Sequence, residues 1–148
     1  MGDNTARFGN ETAAMFGPVI DAALGARSVA VLGASRDPAK YGHKVYTSMK
    51  RAGYKVYAVN PNADDIDGDP VYPQIDCLPE KPDLLVTVTP PSATEVAVAA
   101  AGDAGIRIVW MQPGSESEAA VHLARAHGMQ AVYGGPCVMV AVATRSWK

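Results

Sequence analysis

A chain of 148 residues, 48% apolar and 19% charged with a formal net charge of −2, has room for one domain with a proper core. It lacks the basic excess of a nucleic-acid binder, and no apolar run approaches the roughly 20 residues of a membrane helix. Its two cysteines, Cys77 and Cys137, stand far apart and outside any Cys-x-x-Cys spacing, so neither a zinc site nor a disulfide framework is expected.

Residues 1–15 read as a polar, glycine-bearing lead-in to one domain over residues 16–148. They lack the charged-then-apolar build of a signal peptide, and Ala6 stands where a myristoylation pattern requires Ser or Thr. A cytoplasmic chain is therefore expected. Val19, Ile20, Ala23 and Leu24 fall at helical spacing within residues 16–26. From there, short β-branched apolar runs recur at residues 29–32, 55–59, 84–89, 106–111 and 129–133. They are continuous instead of alternating, which predicts strands buried on both faces in a parallel sheet.

The segments between them carry helix signals. Asp37-Pro38 predicts a start for a helix running towards Gly53. Ser92 to Glu95 and Ser115 to Glu118 each have the spacing of a capping box, and Gly105 and Gly128 close the two helices that follow. Residues 61–82, rich in Asp and Pro, read as a long connection with at most one short strand or helical turn. Alternating strands and helices predict a doubly wound, Rossmann-like α/β fold. Five parallel strands are expected in the order 3-2-1-4-5, with helices on both faces and a ligand crevice at the C-terminal ends of the strands.

In such a fold the chemistry sits in the loops after the strands. Gly33 allows a tight turn, Ala34 and Ser35 are small enough for a pyrophosphate to approach the backbone, and Arg36 and Lys40 add charge. The same small-residue turn would also serve a strand that merely meets a helix. The second strand ends in Asn60-Pro61, where an NAD site carries an acid for the ribose hydroxyls. A neutral tip tolerates a phosphorylated ribose, as in NADP or coenzyme A; it also reads as a plain turn starter. Thr89-Pro90 and Gln112 end later strands and offer neutral donors. No loop sets a base beside a nucleophile, so binding is expected without catalysis.

The run from Val31 to Gly42, then Gly53 to Pro61 with Ile66-Asp67-Gly68, and later Trp110 to Gly114, closely resembles the small single-domain CoA-binding proteins. That family is similar to the N-terminal domain of the succinyl-CoA synthetase alpha subunit. The resemblance covers roughly residues 20–145 and implies coenzyme A or an acyl-CoA as ligand, bound by a non-catalytic sensor, carrier or regulatory module. It places Gly33, Ala34, Ser35, Arg36 and Lys40 at the CoA phosphates and Asn60 and Pro61 at the adenosine end. Thr89, Pro90 and Gln112 would line the crevice wall. An NADP-binding oxidoreductase and a subunit of an acyl-CoA ligase remain the competing functions. The chain departs from the family where an Asp-Arg-Cys run is usual: Gly135-Pro136-Cys137 keeps only the cysteine, and Ala141 replaces a glutamate.

The remaining candidates have plainer expectations. Cys137 reads either as a small buried packing residue or as a thiol near the crevice mouth, with an ordinary pKa because no His, Lys or Arg adjoins it in sequence. His43 reads as an exposed helical residue, although a ligand contact is open to it, and His122 and His127 read as surface residues. Asp64, Asp65, Asp67 and Asp69 lack the ligand order of a calcium loop and read as solvated. Trp110 and Trp147 are expected to pack.

Overall fold

A computed structural model describes residues 16–145; the expected lead-in and Trp147 lie outside the described residues. In chain order it contains α1 (16–24), β1 (Ser28–Leu32), α2 (Tyr41–Arg51), β2 (Lys55–Val59), β3 (Asp65–Ile66) and β4 (Asp69–Tyr72). A 3-10 turn (Ile75–Cys77) leads to β5 (Leu84–Thr87), α3 (Pro91–Asp103), β6 (Ile108–Met111), α4 (Glu118–Ala126), β7 (Gln130–Val132) and α5 (Val138–Arg145).

The sheet is Rossmann-like and parallel, but it has seven strands instead of five, in the order β3-β4-β2-β1-β5-β6-β7. The difference comes from residues 61–82, which carry two strands and a helical turn. Asp67 (φ 53°) and Gly68 (φ 88°) form a two-residue hairpin turn between β3 and antiparallel β4. β4 then pairs in parallel with β2 and becomes its outer neighbour. The segment at residues 84–87 consequently lies beside β1, not outside β2. The chain thus winds outward through β2 and β4 and returns to β1's other side, leaving a switch point between β1 and β5.

Strand alternation divides the core by face. Val29, Val31, Leu84, Val86 and Trp110 point to one layer, with Phe16, Val45, Tyr46, Met49 and Val138 from α1, α2 and α5. Ala30, Leu32, Leu85, Val109 and Met111 point to the other, with Ala97, Val98, Ala101, Ala120 and Ala124 from α3 and α4. Trp110 packs as expected, fully buried, and its indole N–H donates to the Pro136 carbonyl (3.0 Å).

Several helix starts differ from their expected places. Asp37 and Pro38 lie in a turn, the Asp37 carboxylate accepting from the Ala39 N–H (3.0 Å), and α2 begins at Tyr41. α3 begins at Pro91, one residue before the expected cap, because proline's fixed φ suits a first helical position. Glu95 instead accepts from the Ser117 hydroxyl (2.7 Å). Ser117, not Ser115, caps α4 by accepting from the Ala120 N–H (3.0 Å). The helices end before Gly53, Gly105 and Gly128, as expected.

Candidate functional site

A cleft of about 840 Å³ lies at the C-terminal ends of β1, β2 and β5, within the usual size of a small-molecule site. Its floor is the turn after β1. Gly33 there has φ 91°, and a β-carbon on it would sit 3.0 Å from the Thr89 methyl and 3.1 Å from the Val88 carbonyl oxygen. Gly42 is more tightly placed: its β-carbon would lie 2.0 Å from the Gly33 carbonyl oxygen. The first turn of α2 is therefore pressed against the β1 turn, and only glycine at position 42 permits it.

Two helices open onto this cleft without side-chain caps. α2 follows Lys40 and α3 follows Pro90, and neither preceding residue makes a capping hydrogen bond. Their leading N–H groups carry the positive ends of the helix dipoles, the arrangement that favours a bound anion. The loop between β1 and α2 satisfies some amides internally. The Ser35 hydroxyl accepts from Asp37 N–H (3.1 Å), and the Asp37 carbonyl accepts from Lys40 N–H (3.0 Å). Among the described residues, the N–H groups of Ser35 and Arg36 meet no protein acceptor.

Of the residues singled out from the sequence, Gly33, Ser35, Lys40, Asn60, Pro61, Thr89 and Pro90 line the cleft. Ala34 is fully buried beneath it, and its carbonyl accepts from the Asn60 amide (2.8 Å), which ties the β1 and β2 loops together. The other side of the Asn60 amide accepts from Asn62 N–H (2.8 Å). Arg36 is not among the lining residues, and its guanidinium lies on Asp65 (3.1 Å). Lys40 has no ion-pair partner among the described residues.

Gln112 is fully buried and stands behind the cleft wall. Its amide N–H donates to the Tyr41 hydroxyl (2.7 Å) and, more weakly, to the Cys137 sulfur (3.4 Å). Its carbonyl accepts from the Val138 N–H at the start of α5 (2.7 Å). Tyr41 lines the cleft and lies 3.1 Å from the same sulfur, so Cys137 is screened by Tyr41, not open at the mouth. Burial, then its contact with Cys137, pushes the Tyr41 hydroxyl up to about 12.

The expectation of an ordinary thiol at Cys137 does not hold. Burial raises its pKa, but hydrogen bonds from Tyr41, Gln112 and the backbone N–H groups of Val140 and Met139 outweigh this and hold it below the usual value. The stabilising donors come from other elements and from the α5 backbone, so sequence neighbours did not reveal them. Near the cleft, His43 is also not exposed: 13% of its side chain is accessible, and its ring lies 2.9 Å from Asp67. The acidic loop is clasped to its surroundings, Asp65 by Arg36, Asp67 by His43 and Asp69 by Lys50 and the Tyr46 hydroxyl. At the far side, His127 is half-buried against α3, where a β-carbon on Gly102 would meet its ring at 2.4 Å.

The second half of the cleft was not anticipated from the sequence. Pro73, Gln74, Ile75 and Asp76, around the 3-10 turn, face Ala93, Val96, Ala97 and Ala100 of α3. Val96 is 73% exposed, the most open of the large apolar side chains described.

Residues 27–143 match the family described as the CoA binding domain. The chain is 29% identical over 131 residues to the alpha subunit of ADP-forming acetate–CoA ligase II from Pyrococcus furiosus, a match covering 81% of this chain and 28% of that one. It is 36% identical over 83 residues to ADP-forming acetate–CoA ligase II of Archaeoglobus fulgidus, covering 55% of this chain and 12% of the relative. The chain thus spans less than a third of these curated relatives. A solved conserved hypothetical protein from Pyrococcus furiosus is 37% identical, with a TM-score of 0.73 over 77% of this chain and 97% of that one. A Thermus thermophilus structure is 28% identical, with a TM-score of 0.78 over 86% of this chain and 96% of that one.

Proposed function

Because the chain belongs to the CoA binding domain family, we propose that its cleft holds coenzyme A or an acyl-CoA and that the chain acts as a binding module, not as a complete enzyme. The observation carrying this reading is the convergence of two uncapped helix starts and the unpaired Lys40 on one cleft at the β1/β5 switch point. The pyrophosphate lies over Gly33, Ala34 and Ser35, with Lys40 on its oxygens. Arg36 joins them by leaving Asp65. Asn60 and Pro61 sit at the adenosine end, where the lack of an acid at the strand tip accommodates a phosphorylated ribose. Thr89 and Pro90 form the facing wall, and Gln112 acts indirectly by holding Tyr41 in place.

Denaturing the purified protein and identifying any released nucleotide by mass spectrometry tests the ligand directly. Thermal shifts provide the comparison. A ligand that binds only the folded state stabilises it by about 2.7 kcal/mol at ~100 times its dissociation constant. CoA should raise Tm more than NAD, and dephospho-CoA should fall between them. Equal shifts with CoA and NAD would overturn the proposal, and a larger shift with NADP would move the reading to an oxidoreductase.

A second reading has its own support: the match to a ligase alpha subunit extends over 131 residues. In this reading the chain supplies the CoA-binding part of an acyl-CoA ligase and another polypeptide supplies the remaining parts. Incubation with acyl-CoA, phosphate and ADP, with and without the polypeptides that co-purify with the chain, separates the two readings. ATP formation that requires both the chain and a co-purifying polypeptide would refute the binding-module reading.

A further inference from the structure

We propose that the outer face of α5, with the adjoining edge of α2, is a docking surface for an acidic amphipathic helix of another polypeptide. Val138 to Ala143 of α5 are all apolar, and a helix apolar on every side is ordinarily enclosed. Here only Val138 is fully buried, while Met139, Ala141 and Val142 pack in part against the core. Val140 is 64% exposed and, with Met139, Ala143 and Thr144, lines an open groove of about 430 Å³. None of these residues lines the cleft, so the inference does not depend on what the cleft binds.

The charges around the groove select its occupant. α2 and α5 run side by side in the same direction. The Tyr41 hydroxyl touches the Cys137 sulfur where they begin, and Ala52 shares a second groove with Val142 and Arg145 where they end. His43, Tyr46 and Lys50 of α2 reach the β3–β4 hairpin, and Val45 and Met49 enter the core. Lys44 and Arg51 therefore fall on the outer side. Lys44 stands level with Val140, each three residues past the first contact between the helices. Neither helix contains an Asp or a Glu, and α1 brings only Asp21 to the layer. Among the described residues Lys44, Arg51 and Arg145 have no ion-pair partner. A chain of net charge −2 thus gathers three uncommitted cations around an exposed apolar strip.

A second copy presenting the same face would set cations against cations. A nucleic acid would use the charges and leave Val140 uncovered, and the strip has no Trp, Phe or Leu to enter a lipid surface. An amphipathic helix uses both features. Its apolar stripe covers Val140 and the groove, and its flanking carboxylates meet Lys44, Arg51 and Arg145.

The probe is a synthetic helix of about 15 residues with leucines at i, i+3, i+4 and i+7 between glutamates, beside a twin with lysines in place of the glutamates. In fluorescence anisotropy with the full chain, the glutamate peptide should bind at least roughly tenfold more tightly than its twin and weaken as salt rises. Val140→Glu should weaken it by at least roughly tenfold, the scale of one buried valine, with Tm and the CoA titration as in the wild type. Lys44→Glu should narrow the preference between the twins. No binding, equal binding of the twins, or binding that Val140→Glu leaves intact overturns the proposal. Tighter binding of phosphatidylglycerol vesicles, or dimerisation of the chain itself, also overturns it if Val140→Glu abolishes that association, because the face then belongs to lipid or to a second copy.

Discussion

Replacing Gly42 with alanine should damage stability and binding together. The added methyl would sit 2.0 Å from the Gly33 carbonyl oxygen, 3.0 Å from the Gly33 carbonyl carbon and 3.4 Å from the Ala34 α-carbon. All three are backbone atoms, so no side chain can rotate away. Restoring an ordinary contact of about 3.4 Å requires the α2 start or the β1 turn to move by more than ~1 Å. Overpacking of this kind typically costs about 1–3 kcal/mol. Alanine's better helix propensity returns up to about 1 kcal/mol. The net loss of up to about 2 kcal/mol corresponds to a Tm fall of roughly 4–8 °C for a chain of this size. The part that moves is the proposed phosphate turn, so CoA affinity should also drop, by at least roughly tenfold. Differential scanning calorimetry of the apo protein and calorimetric titration with CoA measure the two effects separately. Gly17→Ala is the control, since a β-carbon there meets nothing within 4 Å and the residue lies in α1. That variant should be neutral or slightly stabilising. If Gly42→Ala matches the wild type in both Tm and CoA affinity, the close approach of α2 to the β1 turn is wrong.

Charge reversal should separate the two basic residues of the phosphate loop. Lys40→Glu should weaken CoA binding by at least roughly tenfold with little change in Tm, whereas Arg36→Glu should also loosen the β3–β4 hairpin by losing Asp65; equal CoA affinities for both variants and the wild type would show that the phosphates lie elsewhere. Cys137 should alkylate faster per accessible thiol than its ordinary pKa would allow, and Tyr41→Phe should slow the thiolate reaction at neutral pH by removing a stabilising hydroxyl. Peptide mapping after iodoacetamide treatment across a pH series would show the wild-type midpoint below that of Tyr41→Phe, and coincident midpoints would contradict the hydrogen-bond explanation. Asp69 is held below the ordinary carboxylate value by Lys50 and the Tyr46 hydroxyl against burial. Its contribution to stability is therefore present above about pH 3.9 and lost as pH falls through the lower folded value. Asp69→Asn should flatten that part of the acid unfolding curve, and an unchanged curve would count against the clasp.

Strands β1, β2, β5, β6 and β7 were legible because each carries a short apolar, mostly β-branched run, as burial in a parallel sheet demands. The order was not, because residues 61–82 were read from their Asp and Pro content. Asp67-Gly68 is itself a strong two-residue hairpin signal, and it sits between Asp65-Ile66 and the Pro-Val-Tyr of β4. Recognising it would have moved β4 outside β2 and β5 beside β1. In the site, the glycine turn, Lys40 and the Asn-Pro tip could be read from small size and charge alone. Gln112 was misplaced by its position after a strand, yet alternation contained the answer. Trp110 faces the α2/α5 layer, so a residue two further on falls on that side, under Tyr41 and beside Val138. The apolar half of the cleft escaped notice because it depends on the 3-10 turn meeting α3, a contact between residues distant in sequence. His43 and Cys137 were misjudged for the same reason, since their partners come from a hairpin and from another helix.

The clasped hairpin also bears on how this protein behaves when crowded by its own copies. A sheet border offers unpaired N–H and C=O groups to any other strand, and proteins blunt such borders by keeping them short or covered. Here β3 contributes only Asp65 and Ile66 and pairs with Pro70 and Asp69, so it covers the first half of β4's outer side. Its hold depends partly on exposed ion pairs, including Arg36 with Asp65, and added salt screens such pairs over about 8 Å at physiological ionic strength. Salt that detaches β3 would uncover Asp69 and Pro70 of β4, whose Val71 and Tyr72 pair with β2. Self-association at high ionic strength should therefore begin on this border, and a disulfide from the hairpin to α2 should suppress it.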